Sequence, residues 1–145
     1  MKKIIITLAI AFSSFAALAG EENVNSAVLN AFNKEFAGVK DVQWTNTENY
    51  YKASFEFNGQ NVNAFYQHDG ELIAMARNIS SLELPISLQA SLRNSYKGYW
   101  ISDLFEISNN DGTTYYITLE NADSKLVLNS NGVGKWTSFK KAQKI

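Results

Sequence analysis

The sequence predicts an α+β fold: a tandem repeat of one helix plus four antiparallel strands, joined into one continuous curved sheet with both helices on one face. Three observations carry this. Apolar residues recur at helical spacing in two windows that differ by 60 positions. Each window is followed by segments in which apolar residues alternate with polar ones, the period of a half-buried strand. Asn-Gly and Asp-Gly pairs then separate those segments, which joins neighbouring strands as antiparallel hairpins.

The first helix is expected within NVNSAVLNAFNKEFAG, where Val24, Val28, Ala31, Phe32 and Phe36 share a face and Gly38 marks the stop. The second is expected within LPISLQASLRNSYKG, through Leu88, Leu92 and Tyr96, with Pro85 in its first turn and Gly98 past its end. Val28/Leu88, Phe32/Leu92, Phe36/Tyr96 and Gly38/Gly98 all differ by 60. Strands of the first copy are expected at 40–46, 50–57, 61–67 and 71–78. Those of the second are expected at 100–108, 114–121, 125–129 and 133–139. YYKASFEF and YYITLE match at an offset of 64, so the second copy carries about four extra residues, placed in the SNNDGTT turn. The connector ISSLEL, around 79–84, is too apolar for a free linker, which leaves one domain. The expected core is Phe32, Phe36, Tyr51, Phe55, Phe57, Leu88, Leu92, Tyr96, Tyr115, Ile117 and Leu119.

The chain opens MKKIIITLAIAFSSFAALAG: two lysines, an apolar run, then Ala17-Leu18-Ala19. That is the pattern of a cleaved secretory leader, so residues 1–19 are expected to be a signal peptide. Residues 20–145 are then a single domain of two repeats, about 21–78 and 85–145, with no membrane span after cleavage. The expected destination is the periplasm or the exterior of the cell. Without Lys2 and Lys3, 11 basic residues face 14 acidic ones, about −3 in net charge, which speaks against nucleic acid. The basic cluster Lys140, Lys141 and Lys144 reads as a solvated tail. The chain has no cysteine, so packing alone holds the fold and thiol chemistry is excluded.

With the elements placed, the ordered set of residues resembles the PepSY-like family, also described as β-lactamase-inhibitor-protein-like (BLIP-like), small exported bacterial proteins. The resemblance rests first on Phe32-x3-Phe36, Val42-x-Trp44, Tyr51-x-Ala53-x-Phe55 and Asn58-Gly59. It continues through Phe65-Tyr66-x2-Asp69-Gly70-x-Leu72, Leu84-Pro85 and Leu92-x3-Tyr96. Asp111-Gly112 with Tyr115-Tyr116, and Leu128-x3-Gly132, complete it. It departs at Ala37, where a proline commonly follows the helix, and at Gly134-Lys135-Trp136. The resemblance implies a sheet curved around an open face and a non-catalytic role, binding or restraining another protein, often a peptidase or hydrolase. Inhibition of a β-lactamase does not follow, because a shared fold does not specify an interface.

Chemistry is sparse. His68, the only histidine, stands beside Asp69 and Glu71 in FYQHDGELIAM. A metal site needs several converging ligands, and the second copy makes its turn from Asn131-Gly132 with no carboxylate. The stretch therefore reads as a turn, and no catalytic residue, metal or cofactor is expected. Glu56 and Glu120 fall on the polar side of equivalent strands and read as solvated. The stronger signal is aromatic: Phe, Trp and Tyr make 13% of the chain. Tyr50, Phe65 and Tyr116 lie on the strand parity that faces away from the helices, interleaved with Lys52 and Thr118. Tyr50, Lys52, Phe65, Tyr116 and Thr118 are the expected protein-binding face, aromatic anchors among polar neighbours. The bland alternative is that these aromatics only pack against one another across strands. The functional expectation is an exported monomer that engages an envelope protein. A small-molecule or lipid carrier with a pocket between sheet and helices is the alternative. The directions of Trp44, Trp100 and Trp136 do not follow from the sequence.

Overall fold

The computed structural model describes residues 18–19 and 23–144. The expected signal peptide lies outside them except for its last two residues.

Two ten-residue helices, α1 (Ser26–Glu35) and α2 (Ile86–Ser95), form with the same boundaries 60 residues apart. Each reads as a helix for local reasons. The Asn25 side chain accepts the Val28 amide at 3.0 Å, and Leu29 N–H closes on the Asn25 carbonyl at 3.1 Å. At the matching place the Pro85 carbonyl accepts from Gln89 at 3.1 Å. Pro85 thus stands one residue before α2 rather than inside its first turn, where its missing N–H is equally harmless. Both helices end alike. Phe36 and Tyr96 N–H bond back four residues, and Gly38 (φ +82°) and Gly98 (φ +85°) turn the chain away.

Nine described strands follow chain order across one open antiparallel sheet: β1 (Leu18–Ala19), β2 (Gln43–Asn46), β3 (Tyr51–Phe57), β4 (Gln60–Tyr66), β5 (Leu72–Asn78), β6 (Trp100–Asn109), β7 (Gly112–Glu120), β8 (Ser124–Ser130) and β9 (Thr137–Gln143). The register repeats as well. Asn46 pairs with Tyr51 and Glu106 with Tyr115, so the four additional residues lie beyond those pairs, in a longer β6–β7 hairpin. Asn58 and Gly59, at φ +52° and +76°, make the two-residue β3–β4 turn that this hairpin twist favours.

Both helices cover the same face. Under α1, Val28, Phe32 and Phe36 pack on Trp44, Tyr51, Phe55, Val62 and Tyr66. Under α2, Leu88 packs with Leu104, Ile117, Leu119, Leu128 and Trp136. Each such aliphatic or aromatic side chain withdrawn from water contributes about 1.5–3 kcal/mol. Between the two cores the covered side turns polar. Arg77 donates to Glu106 and, at 2.8 Å, to Gln60, while the Ser80 amide donates to Glu83 at 2.7 Å. The Ser80 amide, then Gln60 and Arg77, hold the Glu83 carboxyl below its ordinary value. This bridge joins the connector to both repeats.

Several expectations are corrected. β2 begins at Gln43, not near 40, because Asp41 takes a left-handed φ of +59° before the ladder starts. The last strand is Thr137–Gln143 instead of 133–139. Trp136 leaves the edge to fill the space below α2, where its ring N–H donates to the Leu88 carbonyl at 3.2 Å, and the ladder starts only after it. Lys140 and Lys141 are solvated as expected but belong to β9 instead of a tail, and Lys144 bonds Glu120 at 3.0 Å. Phe57 is 43% exposed at the end of β3, since α1 stops at Glu35 and the Phe36 ring beyond it meets Phe57 only edge-on at 5.7 Å. Asp69-Gly70 closes a three-residue loop. Gln67 N–H bonds the Glu71 carbonyl, Gly70 N–H bonds the Gln67 carbonyl, and Gly70 alone has positive φ. The tryptophans divide: Trp44 and Trp136 are buried under the helices, and Trp100 is 52% exposed beneath the Lys144 ammonium.

Candidate functional site

The helix-free face can be read from the register, because directly opposed residues share a side. One row runs Lys52, Phe65, Ala74. The next runs Ser54, Asn63, Ala76, Ile107, Thr114. Phe105, Tyr116 and Asn129 form a third, and Asp103, Thr118, Val127 and Lys140 a fourth. A sheet face turned to water normally alternates polar side chains. Here Phe65, Ala74, Ala76 and Ile107 form a buried cluster of their own, flanked by Tyr50, Ile73, Phe105 and Tyr116.

Curvature explains how side chains without a helix above them become buried. Tyr50 precedes β3 and Tyr116 lies on β7, four strands away, or roughly 19 Å along a flat sheet. Yet both line one hollow of about 100 Å³, with Phe65, Ala74 and Ile107 as its floor. The sheet is therefore bent with this face inward, and the two repeats bring their aromatics together across the bend. Tyr50 stands edge-on to Phe65 at 5.4 Å, and Phe105 stacks on Tyr116 at 5.3 Å with planes 12° apart. Phe139, from β9, meets Tyr116 edge-on at 5.6 Å. Beyond this wall lies a second hollow of about 250 Å³, floored by Phe105, Thr118 and Val127 and rimmed by Asp103, Lys140 and Phe139.

The structure thus gathers the five expected residues on one concave surface in different roles. Phe65 (7% exposed) and Thr118 (5%) form floor, while Tyr50, Lys52 and Tyr116 are half-buried and reachable. Phe105, Ile107 and Phe139 belong to the same surface and escaped the sequence reading. The parity of β6 holds from Asp103 onward, with Phe105 and Ile107 on one side and Leu104 on the other. It is obscured by the register shift between Ile101 and Asp103. Phe139 was hidden by the misplaced last strand.

His68 has another occupation. It is exposed, its Nε2 lies 3.2 Å from the Glu48 carbonyl, and its ring meets Tyr51 edge-on at 4.9 Å. Its own carbonyl accepts from the Asn25 side chain at 2.6 Å, which ties the loop to the start of α1. The Asp69 side chain accepts the Glu71 amide, just as Asn131 accepts the Val133 amide in the second copy. Among the described residues, no three His, Cys, Asp or Glu side chains converge as metal ligands. Glu120 is engaged as well: hydrogen bonds from Ser102 and then Lys144 hold its carboxyl below the ordinary value.

No family model and no curated protein matches the sequence. Solved structures do match. A Bacteroides eggerthii protein described as periplasmic superposes with a TM-score of 0.73 at 14% identity, over 83% of this chain and 88% of its own. A DUF2874 family protein from Bacteroides uniformis gives 0.72 at 15% identity, over 82% and 88%. A BLIP-like protein from Bacteroides fragilis gives 0.66 at 17% identity, over 82% and 85%. The chain has the fold of these proteins along most of its length.

Proposed function

We propose that this protein is an exported, non-enzymatic binding module of the bacterial envelope that holds another protein against the concave face of its sheet. The observation that carries this reading is the apolar seam on the face that no helix covers: Phe65, Ala74, Ala76 and Ile107, walled by Tyr50, Phe105 and Tyr116. Aromatic anchors over a partly desolvated floor, with Lys52, Asn63, Asp103 and Lys140 around them, have the make-up of an interface centre and rim. The leader-like N-terminus and the periplasmic description of the Bacteroides eggerthii protein support the compartment. The BLIP-like name of the Bacteroides fragilis protein, together with the sequence resemblance, makes a peptidase or hydrolase the partner class to test first.

The magnitudes favour a protein over a carried small molecule. The second hollow, about 250 Å³, is smaller than the roughly 300–1,000 Å³ that encloses a drug-sized ligand, and suits one side chain of a partner. Two hollows fall within that range, about 370 Å³ beside α2 and about 610 Å³ along Lys40, Gln43, Glu56 and Asn61, but both lie open to solvent, so neither encloses a cargo.

The test is site-specific photo-crosslinking in the native envelope. A crosslinker at position 50 or 116 should trap one partner that a crosslinker at position 57 or 86, away from the concave face, does not. Tyr50→Ala with Tyr116→Ala should abolish capture. Equal trapping from both sides of the sheet, or capture surviving the double substitution, would sink the proposal. A stoichiometric copurifying ligand in native mass spectrometry would favour the carrier instead.

A further inference from the structure

The sheet edge at β2 is completed in an unusual way. Leu18 pairs with Thr45 and Ala19 with Trp44. Sixty residues on, Asn78 pairs with Phe105 and the Ile79 N–H donates to the Leu104 carbonyl at 3.1 Å. Leu18–Ala19 thus occupy, in the first repeat, the backbone places that Asn78–Ile79 occupy in the second. The second repeat keeps its occupant permanently, since β5 runs covalently into the connector and Ile79 is buried with Leu84, Leu88 and Leu104. The first repeat takes its occupant from Leu18–Ala19, the end of the small-residue pattern at which the leader is expected to be cut.

We propose that export converts the outer edge of β2 into a docking slot for an extended segment of another polypeptide, added antiparallel to Gln43–Asn46. Cleavage after Ala19 removes both paired residues, and the edge of β2 facing them loses its ladder. Backbone groups so exposed beside a core favour a new strand partner. Trp44, which borders the slot, is 3% exposed and packs in the α1 core, so the slot lies directly against that core. In the second repeat the residues after Ile79 leave the sheet as a 3₁₀ turn at Ser81–Glu83, so the ladder there runs no further than the two residues at this place.

The two ends of the sheet differ in the way this role requires. β9, at the far end, carries Lys140 and Lys141, charges that discourage strand addition. β2 reads Gln-Trp-Thr-Asn, with neither charge nor proline. Recognition would be through main-chain hydrogen bonds, so the partner is specified as an extended segment with an uncharged residue followed by an apolar one at the two paired positions, as in Leu-Ala and Asn-Ile. The slot lies at the sheet edge, apart from the concave face, and does not depend on the function proposed for that face.

The test compares the protein purified from the envelope with a chain beginning at Leu18. Intact mass should place the exported N-terminus at Gly20. Those backbone amides of Trp44 and Thr45 that point away from β3 should then exchange about tenfold faster than in the longer chain. A synthetic peptide of residues 74–81, AMARNISS, carries the occupant of the equivalent slot. In excess it should restore that protection, equally in wild type and in the Tyr50→Ala/Tyr116→Ala variant. An exported chain that retains Leu18–Ala19, equal exchange in the two forms, or peptide protection that maps to β9 or the concave face would overturn the proposal. Protection that rises with protein concentration alone would assign the slot to a second copy and overturn the foreign segment.

Discussion

Replacing Tyr116 and Phe32 by alanine separates the two sides of the sheet. Phe32 is 3% exposed and meets Phe36, Trp44 and Phe55 at ring distances of 5.1–5.3 Å. Truncation there leaves a sealed void, and Phe→Ala in such a core costs about 3–5 kcal/mol. Tyr116 has comparable ring partners, Phe105 and Phe139 at 5.3 and 5.6 Å, but it borders hollows that water can enter. The void term falls away, leaving lost aromatic contact and area of about 1–2 kcal/mol. At about 4 °C per kcal/mol for a domain of this size, Tyr116→Ala should lower the melting temperature by about 4–8 °C. Phe32→Ala should lower it by at least about 12 °C, or prevent folding. Thermal and urea unfolding followed by circular dichroism measure both. If Tyr116→Ala destabilises as much as Phe32→Ala, the concave aromatics are a second sealed core and the binding reading loses its basis. If Tyr116→Ala costs little and capture by the Tyr50→Ala/Tyr116→Ala protein persists, the floor is sound but the partner binds elsewhere.

The Tyr66 hydroxyl is buried with no hydrogen-bond partner among the described residues, so Tyr66→Phe should stabilise by about 1 kcal/mol in urea unfolding. Burial, then the charge of Glu35, push its pKa up to about 12 from 10.0, so spectrophotometric titration should find a late-ionising tyrosine that vanishes in Tyr66→Phe. Because the folded value is raised, the associated stability is whole below pH 10 and is lost as pH climbs toward 12; the variant should show a shallower alkaline decline. Gly70 and Gly38 both have positive φ, but a Cβ on Gly70 would lie 2.7 Å from the Ala27 carbonyl oxygen, whereas one on Gly38 meets open space. Gly38→Ala should cost about 1 kcal/mol and Gly70→Ala at least about 2 kcal/mol more, with chemical-shift changes reaching the first turn of α1.

The legibility of the site tracks these environments. Tyr50, Phe65 and Tyr116 could be placed on the helix-free side because β3, β4 and β7 alternate cleanly through them. Their different exposures could not be foreseen, since a period-two pattern says which side a residue faces and nothing about how far the sheet bends. Ile107 and Phe105 were missed at a register shift, and Phe139 behind a turn longer than its counterpart. In His68 the residue type drew attention, yet its contacts are those of a loop held against α1.

What the sequence by itself determined is local and periodic: two helices with matching stops, alternating strands, glycine-closed turns and an internal offset that changes only around turns. These follow from rules that reach a few residues along the chain. Tertiary structure alone decided what depends on distance across it. It sent Trp136 beneath α2 and delayed β9 until Thr137, it joined Arg77 and Glu106 between the repeats, and it set Leu18–Ala19 beside β2. It also bent the sheet so that Tyr50 and Tyr116 line one hollow. The bend has no local signature, because it arises from the twist accumulated over many strands and from the side chains packed on each face.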